Sequence, residues 1–102
     1  MAVITITKDN FKEEVLDAKV PVLIDFWASW CGPCQAAAPI IEAMGEEMEG
    51  VKICKINVDD EPELARKHGV MSIPTFVGYK DGKMATRNVG LVSREELEKL
   101  VK

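Results

Sequence analysis

The chain is sparing with the residues that define several protein classes. It holds three cysteines and one histidine among 102 residues. Three is an odd count and too few for the disulfide framework of a small secreted domain. There is one Cys-x-x-Cys, no second, and no histidine pair, so half of a tetrahedral zinc set is missing. Basic residues number 13 against 17 acidic ones, a formal charge of −4. That balance argues against nucleic acid as a partner, because phosphate binding needs a basic face. No apolar run approaches the length of a membrane span. Met1-Ala2-Val3-Ile4-Thr5 carries neither a basic region nor a cleavage site of the export type, so a cytoplasmic location is expected. Repeats, low-complexity tracts and linkers are absent. Hydrophobic residues at 47% and charged ones at 29% are ordinary for a globular chain, which excludes disorder. One domain over residues 1–102 is therefore expected, acting as a monomer.

What is present is a pattern that changes period. Val3, Ile4 and Ile6 read as a short strand. Phe11, Val15 and Leu16 recur at helical spacing within Lys8 to Ala18. Val20 to Trp27 is β-branched, aromatic and almost continuously apolar, the mark of a strand covered on both faces. After Cys34 the helical period returns, with Ala37, Ile40, Ile41, Met44 and Met48 on one face and Gln35, Glu42, Glu46 and Glu49 on the other. Pro39 should kink this helix, and Gly50 is a natural stop. Val51 to Val58 reads as a strand. Asp60 opens a helix, with Pro62 in its first turn and Glu63 completing a capping box; Leu64, Ala65 and His68 line its inner side, and Gly69 ends it. Thr75 to Lys80 and Lys83 to Val89 are strands joined by Asp81-Gly82, a hairpin signal. Ser93 and Glu96 form a second capping box before the stripe Leu97, Leu100, Val101. The order β-α-β-α-β-α-β-β-α predicts an α/β fold: a central mixed sheet, parallel strands plus an antiparallel C-terminal hairpin, with helices on both faces.

The chemistry concentrates in Trp30-Cys31-Gly32-Pro33-Cys34. A buried strand ends near Trp27 and a helix begins near Pro33, which puts Cys31 at or just before the first helical turn. Free backbone amides and the positive end of the helix dipole favour an anion there. The thiolate is the reactive form of cysteine, so this position raises its fraction near neutral pH. Cys34 falls inside the helix, where it should be less exposed. Two intervening residues let the sulfurs meet in a small ring, and Gly32-Pro33 suits a tight helix start. Asp25 interrupts an apolar strand and shares a face with Leu23 and Trp27, which favours burial. A buried carboxylate has its pKa raised and can accept a proton. The alternative is a carboxylate neutralised by a lysine for the sake of the fold alone, with Lys55 in a neighbouring strand as the partner.

Asp25-Phe26-Trp27-Ala28-Ser29-Trp30-Cys31-Gly32-Pro33-Cys34 resembles the active-site segment of the thioredoxin family almost residue for residue. The resemblance continues through Ala38-Pro39, Lys55-Ile56-Asn57-Val58-Asp59, Ile73-Pro74-Thr75, Lys80-Asp81-Gly82 and Val89-Gly90. A bare Cys-x-x-Cys is weak evidence, but this set is specific. It implies the thioredoxin fold and a protein-disulfide reductase. Cys31 would attack a target disulfide, and Cys34 would resolve the mixed disulfide, leaving Cys31–Cys34 oxidised. Asp25 would assist deprotonation of Cys34 through water, with Lys55 beside it. From the residues alone Ile73-Pro74 would be trans; the resemblance makes it cis and turns it toward the cysteines. The backbone of Ile73 could then pair with an extended substrate. Trp30, Gly32, Pro33, Ile73, Pro74, Val89 and Gly90 would form a shallow apolar substrate patch bordered by Val58 and Met71, suited to varied proteins rather than one small molecule. Expected partners are disulfide-containing target proteins and a thioredoxin reductase, either a flavoprotein drawing on NADPH or a ferredoxin-dependent enzyme. No bound cofactor and no metal are needed, since the dithiol carries the electrons.

Two other activities fit the same residues: a binding or chaperone module that uses the patch without turnover, and the same fold run toward oxidation or isomerisation. Gly32-Pro33 between the cysteines is similar to the reducing branch. Cys54 shares a face with Ile56 and Val58 and reads as core. His68 beside Gly69 reads as a helix-end or packed imidazole, Met44 and Met48 as core, Trp27 as support for the site, and Glu46-Glu47-Met48-Glu49 as a solvated helix end. Gln35 stands where the family often has a basic residue, which weakens thiolate stabilisation slightly. Gly78 inside a strand marks a bulge.

Overall fold

The computed structural model describes residues 3–102. Its sheet has five strands: β1 (Val3–Thr5), β2 (Val22–Trp27), β3 (Lys52–Asn57), β4 (Thr75–Lys80) and β5 (Lys83–Val89), in the order β1-β3-β2-β4-β5. The first three pair in parallel, β4 runs antiparallel to β2, and β5 antiparallel to β4. Parallel neighbours need a crossover, and α1 (Gly32–Glu47) supplies the one between β2 and β3. The shorter helices α2 (Pro62–Lys67) and α3 (Arg94–Lys99) follow β3 and β5.

Period-two alternation in β2 divides the core into two layers. Val22, Ile24 and Phe26 point to one face, where they pack with Val15, Ile56, Leu64 and Tyr79. Leu23 points to the other, with Ala37, Ile41, Met44, Phe76 and Leu97. α1 and α3 thus cover one face of the sheet, and α2 with the segment around Val15 the other. Cys54 is wholly buried in the first layer, its thiol pushed up to about 12, first by desolvation. His68 caps the end of α2 from the same layer. Its Nδ1 lies 2.8 Å from the Leu64 carbonyl and its Nε2 2.7 Å from the Tyr79 hydroxyl, and desolvation lowers its pKa.

Several local expectations are corrected. The helix expected over Lys8 to Ala18 contracts to one π-helical turn, Lys12–Leu16, closed by the Asp17 amide on the Lys12 carbonyl at 2.9 Å. Residues 8–10 form the turn that leads into it: the Thr7 carbonyl accepts from the Asn10 and Phe11 amides at 3.2 and 3.0 Å, the Thr7 hydroxyl from the Asp9 amide at 3.2 Å, and the Asn10 side chain from the Thr7 amide at 2.8 Å. No capping box forms at Asp60. Glu61 occupies the N-cap of α2 without a capping bond, and its carboxylate accepts instead from the Lys8 amide at 3.2 Å. α1 ends at Glu47 rather than at Gly50: Met48 is already extended, and Gly50, at φ +75°, serves the turn into β3. Pro39 does not end α1, which continues to Glu47 with the proline on its exposed side. The carbonyl left without that amide belongs to exposed Gln35, open to solvent.

Two features follow the sequence closely. Asp81 and Gly82 both take positive φ, the turn that matches the twist of a two-residue hairpin. The Ser93 hydroxyl accepts from the Glu96 amide at 3.2 Å, capping α3. The β4–β5 register shifts at Gly78/Tyr79, as the glycine suggested, and the geometry adds a stronger reason for it. A Cβ at Gly78 would collide with the Thr86 hydroxyl and the Leu100 carbonyl, which are themselves bonded at 2.7 Å.

Candidate functional site

Sheet and helix meet at the C-terminal end of β2. Strand hydrogen bonding stops after Trp27, and α1 begins at Gly32 with Pro33 in its first turn. Between them Cys31 takes extended backbone angles and forms the N-cap of α1, its Sγ accepting from the Cys34 amide at 3.2 Å. A cysteine in this position uses its sulfur as serine or aspartate uses oxygen, so negative charge on that sulfur meets an aligned donor and the helix dipole. Cys34, one turn on, closes a disulfide with Cys31 across a Cα separation of 5.2 Å. Cys31 is 5% exposed and Cys34 3%, so the difference in access expected between them is slight in the disulfide form.

The loop before β4 covers Cys31. Ile73-Pro74 is cis, and the Ile73 carbonyl lies 3.7 Å from Cys31 Sγ. The Gly90 amide donates to the Pro74 carbonyl at 2.8 Å, which ties the end of β5 to the same loop. Trp30 is 69% exposed, and its indole Nε1 donates to Asp59 Oδ2 at 2.8 Å. Val89 is exposed and Met71 is 95% exposed. Trp30, Val58, Met71 and Ile73 line an open, largely apolar groove of about 360 Å³ beside the disulfide. The segments carrying Trp30, Gly32, Pro33, Ile73, Pro74, Val89 and Gly90 therefore converge on one end of the sheet.

Beneath the disulfide lies a second cavity, of about 230 Å³, lined among others by Asp25, Trp27, Cys34, Gln35, Glu42 and Lys55. Asp25 is 4% exposed, and its Oδ1 has no hydrogen-bond partner. Desolvation raises its carboxyl to about 7, against an opposing pull from Lys55. Asp25 and Lys55 are register partners across β2 and β3. The expected Asp25–Lys55 ion pair does not form, however. The Lys55 ammonium lies 3.9 Å from Glu42 Oε2 and 5.6 Å from the centroid of the Trp27 ring. Gln35, on the opposite side of the cysteines from the groove, donates to the Ser29 carbonyl at 2.6 Å and braces the loop before α1.

Two neighbours of the site were not singled out from sequence. Glu42 lies on the polar face of α1, where an acidic residue carries no signal of its own. Asp59 is a member of the Lys55–Asp59 motif, but only the folded chain brings it under Trp30. Among the described residues, no group of three or more His, Cys, Asp or Glu side chains is placed to hold a metal ion.

A vicinal cysteine pair at a helix N-cap, facing a cis-proline loop at one end of a mixed sheet, defines a dithiol–disulfide oxidoreductase site. Comparison with known proteins makes the class specific. The Thioredoxin family model matches residues 2–102. Thioredoxin from Porphyra purpurea is 43% identical over 99 residues, covering 96% of this chain and 92% of that one. Thioredoxin 1 from Nostoc sp. is 44% identical over 93 residues, covering 90% and 87%. The structure of a mutant thioredoxin from Halobacterium salinarum superposes with a TM-score of 0.89 at 33% identity, covering 98% of this chain and 88% of that one. The chain belongs to the thioredoxin family and has the thioredoxin fold. It is a protein-disulfide reductase, and membership implies disulfide-containing substrates and a thioredoxin reductase as partner. No helix among the described residues is long and apolar enough to cross a membrane.

Proposed function

We propose that Cys31 is the nucleophile and Cys34 the resolving thiol of this reductase. The Cys31 thiolate attacks one sulfur of a target disulfide. A Cys31–target bond forms, the target's own bond breaks, and one target thiolate leaves and takes up a proton. Cys34 then gives its proton to Asp25 through water and attacks Cys31 Sγ. The second target thiolate leaves and is protonated, and two electrons have passed from the dithiol to the target. Lys55 supplies the countercharge that acts on Asp25. Trp30, Gly32, Pro33, Ile73, Pro74, Val89 and Gly90 receive the target, with the Ile73 backbone pairing to an extended segment.

The observation that carries this reading is the Cys31 sulfur at the N-cap of α1, within hydrogen-bond reach of the Cys34 amide and 3.7 Å from the carbonyl before cis-Pro74. The groove beside it is apolar and open, which suits protein segments of varied sequence. We further propose that residues 1–102 act as one domain and as a monomer, in the cytoplasm. There a flavoprotein drawing on NADPH or a ferredoxin-dependent reductase would restore the dithiol. A reducing compartment suits a chain with one vicinal cysteine pair and one buried thiol.

Insulin disulfide reduction with dithiothreitol as electron source tests the assignment. Wild type should accelerate precipitation, and Cys31→Ser should run at the rate of dithiothreitol alone. Equal rates for the two proteins would refute the nucleophile. A chaperone role would survive Cys31→Ser, so suppression of aggregation by both proteins separates that activity from reduction. In single turnover, Asp25→Asn should slow release of the mixed disulfide by about a hundredfold near pH 7, the lower end of what a positioned proton acceptor contributes. An unchanged rate across pH 6–9 would remove Asp25 from the mechanism and leave the cysteines in place.

A further inference from the structure

Asp25 shares its cavity with one cation and one other carboxylate. Lys55 of β3 and Phe76 of β4 flank it in register, and Cys34 and Glu42 face the same space from α1. Register alone would deliver the Lys55 ammonium to Asp25. Instead the ammonium lies at 3.9 Å from Glu42 Oε2, beyond ion-pair distance of Asp25, with the Trp27 ring beneath it. The Glu42 side chain is more than half exposed and that of Lys55 one-third exposed, whereas Asp25 is buried. The pair therefore sits at the mouth of the cavity and the unpartnered carboxyl at its floor.

Position matters because screening changes along that path. A cation at a wet rim acts weakly on a group several ångströms below it, and the same cation drawn inward acts strongly. Glu42 and Asp25 compete for one ammonium, and the exposed competitor holds it at lower desolvation cost. We infer that Glu42 is a positioning residue: it retains the Lys55 ammonium at the cavity mouth and so sets how strongly that cation acts on Asp25. The consequence for exchange rests on the reading of Asp25 as proton acceptor given above.

The sign is determined. Without the Glu42 charge, Lys55 is free to fold inward, and a closer cation favours ionised Asp25. Loss of a nearby anion acts in the same direction. Glu42→Gln keeps the side-chain length and helix propensity at a solvent-facing position, so the fold is preserved.

The test follows the Asp25 carboxyl carbon by NMR through a pH titration of the oxidised full chain, which needs no turnover. The Asp25 midpoint should fall by about one pH unit in Glu42→Gln, the scale of a single neighbouring charge. In a Lys55→Gln background the same substitution should move it by less than half as much, because the group it positions is gone. An unmoved midpoint in Glu42→Gln would overturn the inference. So would an equal shift in both backgrounds, since Glu42 would then act by its own charge and not through the lysine. The pH profile of mixed-disulfide release, measured beside it, separates the two proposals. If the carboxyl midpoint moves and the release profile does not, Glu42 positions Lys55 and Asp25 is not the acceptor.

Discussion

Asp25 is the residue at which burial and chemistry meet, and it costs the fold stability. Its carboxyl titrates near 7 in the native state, pushed up by desolvation, against about 3.8 for the free side chain. The native state therefore holds a proton that the unfolded chain has lost between those values. Stability must fall as pH rises from about 4 to about 7 and stay lower above. A difference of roughly three units corresponds to about 4 kcal/mol at most. Asp25→Asn should accordingly raise stability by roughly 2–4 kcal/mol at pH 8 and add little at pH 4, read from urea transitions of the oxidised protein at the two pH values. The same stability at both pH values in wild type would show that Asp25 ionises without penalty. Alternation along Val22–Trp27 was enough to place Asp25 inside. The destination of the Lys55 ammonium was not legible, because Glu42 reaches it from a helix that β-strand register does not describe.

Among the elements, the contrast between β4 and the segment before β2 shows where local pattern suffices. Gly78 could be read as a bulge from its place inside a strand, and the register shift is there. Its stronger constraint is the end of the chain: the Leu100 carbonyl and Thr86 hydroxyl occupy the volume a side chain would need. Thr86 could rotate, but the Leu100 backbone cannot yield without moving α3 (Arg94–Lys99). Gly78→Ala should therefore destabilise by about 2 kcal/mol or more, the cost of overpacking against main chain. A fall in the urea midpoint with an unchanged slope is the expected result, and an unshifted midpoint would mean that α3 docks loosely. Lys8 to Ala18 went the other way. Its apolar spacing is helical, yet the amide of Asp17 bonds the Lys12 carbonyl five residues back, and one π-helical turn stands after the capped turn at Thr7–Asn10. Apolar spacing near 3.6 does not tell an i to i+4 bond from an i to i+5 one. The capping box expected at Asp60 does not form because α2 starts one residue later: Glu61 is its N-cap, and its carboxylate accepts from the Lys8 amide, 53 residues away in the chain.

For the whole molecule, the site is an addition to a fold that does not depend on it. Two apolar layers on either side of β2 hold the sheet, and the cysteine pair spans a sequence separation of only 3. A loop that short restricts the unfolded chain little, about 2 kcal/mol by loop-closure entropy. The reduced protein should remain folded, with a cooperative urea transition and about 2 kcal/mol less stability than the oxidised form. Loss of the cooperative transition on reduction would show instead that the disulfide is a structural staple. Sequence by itself determined the order of strands and helices, the parallel first half, the antiparallel hairpin, the buried aspartate and the cysteine pair at a helix start. Those features depend on neighbours a few residues apart: alternation, helical period, turn chemistry and the missing amide of proline. Tertiary structure alone decided that β3 lies between β1 and β2 and that Asp59 supports Trp30. It also decided that the Ile73 carbonyl covers Cys31 and that Lys55 answers to Glu42. Each of those joins residues far apart in the chain, and such contacts are set by how the layers pack, which no local pattern encodes.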